Sequence, residues 1–132
     1  MKKIIALISI FLLTGCLGEA GKGYITKTCT KLDNINGYKL ETEIQIKSKK
    51  GTVEQIKIKE TYDKRLDLTS ITDSKKSEKN AYQNIEMKLN KNVFEYKIIV
   101  KNLTQEEKEK FNIQEEQHKQ LELFKDKGYT CK

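Results

Sequence analysis

Over residues 38–47 the chain alternates strictly: Tyr38, Leu40, Thr42, Ile44 and Ile46 are interleaved with Lys39, Glu41, Glu43, Gln45 and Lys47. Successive strand side chains point to opposite faces, so this pattern predicts a strand with one buried and one wet face. Residues 24–31 read as a preceding strand, joined to it by the turn chemistry of residues 34–37. Lys49-Lys50-Gly51 makes a tight connection to a third strand, with Ile56, Ile58 and Tyr62 on one side and Glu54, Lys57 and Lys59 on the other. Val53 is out of phase with Ile56, which calls for a bulge or a strand start near Thr52. Residues 66–72 are ambiguous between more strand and an irregular lead into a helix. From Asp73 or Ser74 the period lengthens, and Tyr82, Ile85 and Leu89 fall on one stripe of a helix that Asn90-Lys91-Asn92 ends.

Residues 93–103 return to alternation, with Phe94, Tyr96, Ile98 and Val100 inward and Ile99 breaking the polar side. Thr104-Gln105-Glu106-Glu107 matches a capping box, in which the threonine hydroxyl and the glutamate carboxylate satisfy free amides, so helix begins at Gln105. Asn112 interrupts it. A second segment over residues 114–127 turns Gln117, Leu121 and Phe124 inward, Gly128 terminates it, and residues 129–131 form a short last strand. Strands and helices that do not alternate regularly favour an α+β fold. The expected architecture is a single domain with an antiparallel sheet of about four to five strands and two or three helices packed on one face.

The N-terminus follows a different logic. Lys2 and Lys3 precede an apolar run over residues 4–13, which is too short to span a bilayer, where roughly 20 apolar residues are needed. The run closes on Leu13-Thr14-Gly15-Cys16, which resembles the lipobox of bacterial lipoproteins, where small residues precede a cysteine that is acylated and becomes the first mature residue. The organisation expected is therefore a signal peptide over residues 1–15, a lipidated tether over residues 16–23 and one domain over residues 24–132. Two acyl chains on Cys16 suffice for stable anchoring, which places the domain on the extracytoplasmic face of the cell membrane.

Of the three cysteines, Cys16 is the lipidation site, which leaves Cys29 and Cys131 as an even pair in an oxidising compartment. A disulfide between them is expected, the alternative being two free thiols.

Charge changes the picture less. The full chain of 132 residues carries +7, which falls to +5 once Lys2 and Lys3 leave with the signal peptide. Arg65 is the only arginine. Guanidinium forks for base readout are thus nearly missing, and export removes the chain from nucleic acid, so no nucleic-acid partner is expected. The lysine excess fits attraction to an anionic membrane or envelope polymer.

Candidate chemistry is thin. His118 is the only histidine, and Glu115 and Glu122 lie at i−3 and i+4 from it, a spacing that would suit a carboxylate and imidazole metal site on one helical face. A surface histidine amid charges is the commoner arrangement. No metal, no cofactor and no catalytic residue are assigned. Tyr24, Tyr38, Tyr62 and Tyr96 lie on strands, in a phase read as core packing rather than as an exposed aromatic row.

The lipobox, Thr28-Cys29-Thr30, the hairpin over residues 38–62 and the closing Lys125-Asp126-Lys127-Gly128-Tyr129-Thr130-Cys131 together resemble the YehR-like group of small bacterial lipoproteins. That resemblance implies the α+β fold and brings no active site, because the molecular function of the group is not established. The expected function is a membrane-anchored lipoprotein acting as a non-catalytic binding module at the cell envelope. Its partner would be a membrane protein or an anionic envelope polymer, besides the lipid that holds Cys16. The alternatives are a structural or stress-protective envelope protein without a specific ligand, and a small envelope hydrolase built on His118 or a carboxylate pair.

Overall fold

In the computed structural model, which describes residues 23–132, the first three strands form a continuous meander. The expected signal peptide, the expected lipobox residues Leu13, Thr14, Gly15 and Cys16, and the expected tether up to residue 22 lie outside the described residues. Strand β1 (Tyr24–Ile35) pairs with β2 (Tyr38–Lys49) along its full length. Their connection is two residues, Asn36 and Gly37, at φ 52° and 87°. A two-residue hairpin turn that follows the natural strand twist needs positive φ at both positions, which asparagine and glycine tolerate best. Lys50 and Gly51, at φ 51° and 78°, repeat the device between β2 and β3 (Thr52–Tyr62). The bulge expected near Thr52 is present: Lys47 faces Gln55 and Ser48 faces Val53, so Glu54 is the extra residue. It lets Val53 and Ile56 both point inward, at 2% and 0% exposure.

The chain then forms helix α1 (Thr69–Ala81), β4 (Ile85–Asn90) and β5 (Val93–Ile99). A single 3-10 turn (Val100–Asn102) leads to α2 (Gln105–Lys110), α3 (Gln117–Asp126) and β6 (Thr130–Cys131). The fold is α+β, with one open antiparallel sheet of six strands in the order β4-β5-β3-β2-β1-β6 and three α-helices.

The sheet has more strands than the hydrophobic pattern predicts because residues 85–90 are a strand and not the end of a helix. Ile85, Met87 and Leu89 alternate as well as Tyr82, Ile85 and Leu89 follow a helical stripe. The free side of β5 decides between them, pairing Ile85 with Ile98, Met87 with Tyr96 and Leu89 with Phe94. Helix α1 also starts earlier than expected, at Thr69, whose amide and hydroxyl both donate to Asp67 Oδ1 at 3.1 and 2.7 Å.

Every inward strand residue lies on one face of the sheet. Ile44, Ile46, Ile56, Ile85, Met87 and Ile98 form one buried cluster with Phe124 of α3, with Phe111 and Ile113 at the margin. A smaller cluster of Leu40, Tyr62 and Phe94 is covered by Leu66, Leu68 and Ile71 around α1. Helix α1 buries no residue of its own fully. The capping box is complete: Glu107 N donates to Thr104 Oγ1 at 3.1 Å, and Thr104 N donates to Glu107 Oε1 at 3.0 Å. Asn112, at φ 54°, breaks the chain between α2 and α3.

Candidate functional site

Cys29 and Cys131 face one another across β1 and β6 and are joined by a disulfide, with Cα atoms 4.0 Å apart. The neighbouring pair, Thr28 and Lys132, exchanges both backbone hydrogen bonds at 3.0 and 2.8 Å. The cysteines therefore occupy a non-hydrogen-bonded position, where antiparallel side chains come closest. Tyr129 anchors the approach to β6, its ring 5.5 Å from Phe124 and its amide donating to Phe124 O at 3.0 Å.

His118 and Glu122 share a helix, but Glu115 is not brought onto their face. Helix α3 begins at Gln117, so Glu115 lies ahead of the helix rather than on its face, and it accepts a bond from Lys108 Nζ at 2.9 Å. That ammonium holds the Glu115 carboxyl below its ordinary range. His118 is exposed, with Nε2 3.6 Å from Glu116 Oε2. Among the described residues no three His, Cys, Asp or Glu side chains gather as metal ligands.

A more developed polar cluster sits under α1, on the core face. Glu60 lies between Thr42 and Phe94 in register, and Lys75 of α1 reaches it at 2.7 Å, both side chains being 17% exposed. The same ammonium lies 4.8 Å from the Tyr96 ring centroid and 5.7 Å from that of Phe94. Burial, reinforced by the negative charge of Glu60, pushes the Tyr62 phenol up to about 12 and raises Tyr96 as well. Glu60 is thus committed to a lysine, and both phenols stay neutral at ordinary pH. The cluster fastens α1 to the sheet. Its pattern signal was weak, since Glu60 falls on the inward phase of β3 yet reads as one more charge among lysines.

Other carboxylates are committed too. Arg65 holds Asp63 in a two-pronged contact at 3.0 and 2.7 Å, which lowers the Asp63 carboxyl to about 2. Glu107, besides its capping role, accepts from Asn84 Nδ2 at 3.0 Å, and these bonds lower its pKa.

The opposite face of the sheet is open to solvent and carries the broadest array of free polar side chains. At one level Thr130, Thr30, Glu43, Lys59, Glu95 and Lys88 follow one another across the six strands, with charges of alternating sign. At the next, Thr28, Gln45, Lys57, Lys97 and Glu86 do so, and here two lysines stand directly opposite each other. Among the described residues neither Lys57 nor Lys97 is in an ion pair. A shallow groove of about 430 Å³ runs between these rows, lined by Glu43, Lys57, Lys59, Lys88 and Lys97 among others. Alternation makes each strand's wet side legible. The cross-strand rows depend on strand order, which it does not supply.

Tyr24 departs from the expected core phase. It faces Lys49 and so lies on the open face, with Lys47 Nζ 4.4 Å and Lys49 Nζ 5.4 Å from its ring centroid. The parity of the buried Cys29 on the same strand is the signal that places it there. No protein-family model, curated protein or solved structure matches the chain.

Proposed function

We propose that this chain is a membrane-anchored extracytoplasmic lipoprotein, held through acylated Cys16, whose domain is a non-catalytic binding module at the cell envelope. The observation that carries the reading is the open sheet face. Helices α1 and α3 pack on the other side, so the six strands offer one wide surface of lysine, glutamate and threonine side chains to solvent. The carboxylates whose pKa is lowered, Asp63, Asp67, Glu107 and Glu115, are meanwhile bonded to partners within the fold. No helix among the described residues is long and apolar enough to cross a membrane. The resemblance to YehR-like lipoproteins belongs to the same proposal and adds no active site to it.

Crosslinking in intact cells, from a photoreactive residue at Lys59 in the middle of the open face, tests this function. Recovery of one recurrent envelope protein or polymer is the expected result. Repeated recovery of none, from a protein shown to float with the membrane fraction, overturns the binding reading. Loss of membrane flotation unaccompanied by a Cys16→Ser change overturns the anchor.

A further inference from the structure

The chain enters the sheet at Tyr24, and the residues around that point form a surface of distinct character. Strand register places Lys49 opposite Tyr24 and Lys47 opposite Thr26, both on the open face. Lys50 follows in the hairpin turn, and Lys101 lies with Tyr24 and Lys47 along one groove of about 550 Å³. The carboxylates of that groove are Glu54 and Glu115, and Glu115 is bonded to Lys108. Among the described residues Lys47, Lys49, Lys50 and Lys101 form no ion pair. At the same strand end but on the other face, opposite Ser48 in register, Ile25 is 53% exposed, one of two large apolar side chains exposed to that degree among the described residues.

A tyrosine and lysines on the open face, with an exposed aliphatic side chain on the other face of the same strand end, are the ingredients of a membrane-interface contact made by the end of the sheet rather than by one face. Tyrosine rings sit at head-group level, and lysines near an anionic bilayer are each drawn to it. The position of the corner selects a bilayer over other polyanions. Seven residues separate Cys16 from Tyr24, a reach of at most about 25 Å, so the corner cannot leave the neighbourhood of the lipid anchor. The opposite hairpin, at Asn36 and Gly37, lies a full 12-residue strand away, about 40 Å.

We propose that the corner formed by Tyr24, Ile25, Lys47, Lys49, Lys50 and Lys101 seats on the anionic lipid surface beside the anchor and fixes the domain's orientation. This rests on the lipoprotein reading above. Seated in this way, the strands rise from the bilayer and the open face stands roughly upright, accessible from the side rather than pressed against lipid.

The chain has no tryptophan, so a Tyr24→Trp change gives a single reporter that keeps the ring's contact with the two lysines. The full lipidated protein is reconstituted in vesicles of brominated phosphatidylcholine, with or without phosphatidylglycerol, and Tyr38→Trp serves as the reporter for the far end. The expected result is quenching of Tyr24→Trp in the phosphatidylglycerol vesicles alone, reversed by high salt, with Tyr38→Trp unquenched throughout. Each of Lys47→Gln, Lys49→Gln and Lys101→Gln should lower the seated-to-unseated ratio roughly fivefold. Protein that floats with the vesicles yet quenches equally at both reporters, or at neither, overturns the seat and leaves the anchor standing. Protein that floats with neither vesicle type overturns the anchor reading and the seat with it. A response of Tyr24→Trp to soluble polyglycerol phosphate, with none to the anionic vesicles, assigns the corner to a wall polymer and overturns the proposal.

Discussion

Removing the Cys29 to Cys131 bond should cost this domain a large share of its stability. The bond closes a loop of sequence separation 102, and chain-entropy reasoning gives about 4.7 kcal/mol for a loop of about that length. Domains of this size are stable by about 5–15 kcal/mol in all. The native side of the balance points the same way, because β6 is two residues long and is otherwise held by a few backbone bonds to β1 and by the docking of Tyr129 on Phe124. Urea unfolding of the protein, oxidised and reduced, measures the effect. With a slope of about 1–3 kcal/mol per molar urea, the midpoint should fall by about 2–4 M on reduction. The Cys29→Ala/Cys131→Ala variant should fall at least as far, since Cys29 is fully buried and alanine leaves space around it. A reduced protein within about 1 kcal/mol of the oxidised one would refute the loop-closure argument. So would a native oxidised protein in which both thiols are freely alkylated.

Four further outcomes follow from particular side chains. Thr104→Ala removes one half of the capping box and should lower stability by about 1 kcal/mol in thermal unfolding. Because its bonds hold the Glu107 carboxyl below 4.5, Glu107 supports the fold above that pH, and its support is lost as pH falls through the depressed value. Acid titration of Glu107→Gln should accordingly show a shallower loss than the parent chain. Tyr62 is shifted the other way, from 10.0 up to about 12, so its contribution is complete below pH 10 and is lost as pH rises through 12. Tyr62→Phe should flatten the alkaline decline in stability, and an unchanged decline would show that the phenol is not responsible. Lys57→Glu replaces a repulsion with an attraction opposite Lys97 and should raise stability by about 0.2–1 kcal/mol in urea unfolding at low salt.

The meander of β1, β2 and β3 was readable because its information is local. A strict two-residue period, Asn36-Gly37 and Lys50-Gly51 at the turns, and one residue out of phase at Val53 specify the strands, their hairpins and the bulge. The capping box and the break at Asn112 were readable for the same reason. Residues 82–90 were not, since their apolar positions satisfy both a helical and a strand period. The choice between the two is made by β5, whose free edge offers Ile98, Tyr96 and Phe94 as partners. The insertion of β5 beside β3 is equally non-local, and with it the cross-strand rows of the open face and the meeting of Glu60 with Lys75. Tyr24 is hard to place for a different reason: phase carries information only within a strand, and on β1 the buried Cys29 alone sets the inward parity.

The two faces of the sheet obey different physical demands. On the core face, burial sets the terms: apolar side chains interdigitate, and the half-buried charge carried beneath α1, Glu60, is met by Lys75 at 2.7 Å. On the open face water removes that demand, and a sequence selected for stability alone would still place unlike charges opposite each other. The row through Glu43, Lys59, Glu95 and Lys88 does so. The row through Lys57 and Lys97 does not, and neither do the lysines around Tyr24. Departures of this kind from local consistency, where no packing constraint requires them, are where a surface is expected to serve something outside itself. If Lys57→Glu stabilises the fold while abolishing the crosslinks recovered from Lys59, the repulsion is retained for a partner. If it stabilises the fold and leaves those crosslinks intact, the lysine excess there is compositional, and the proposed binding surface is to be sought along the alternating row.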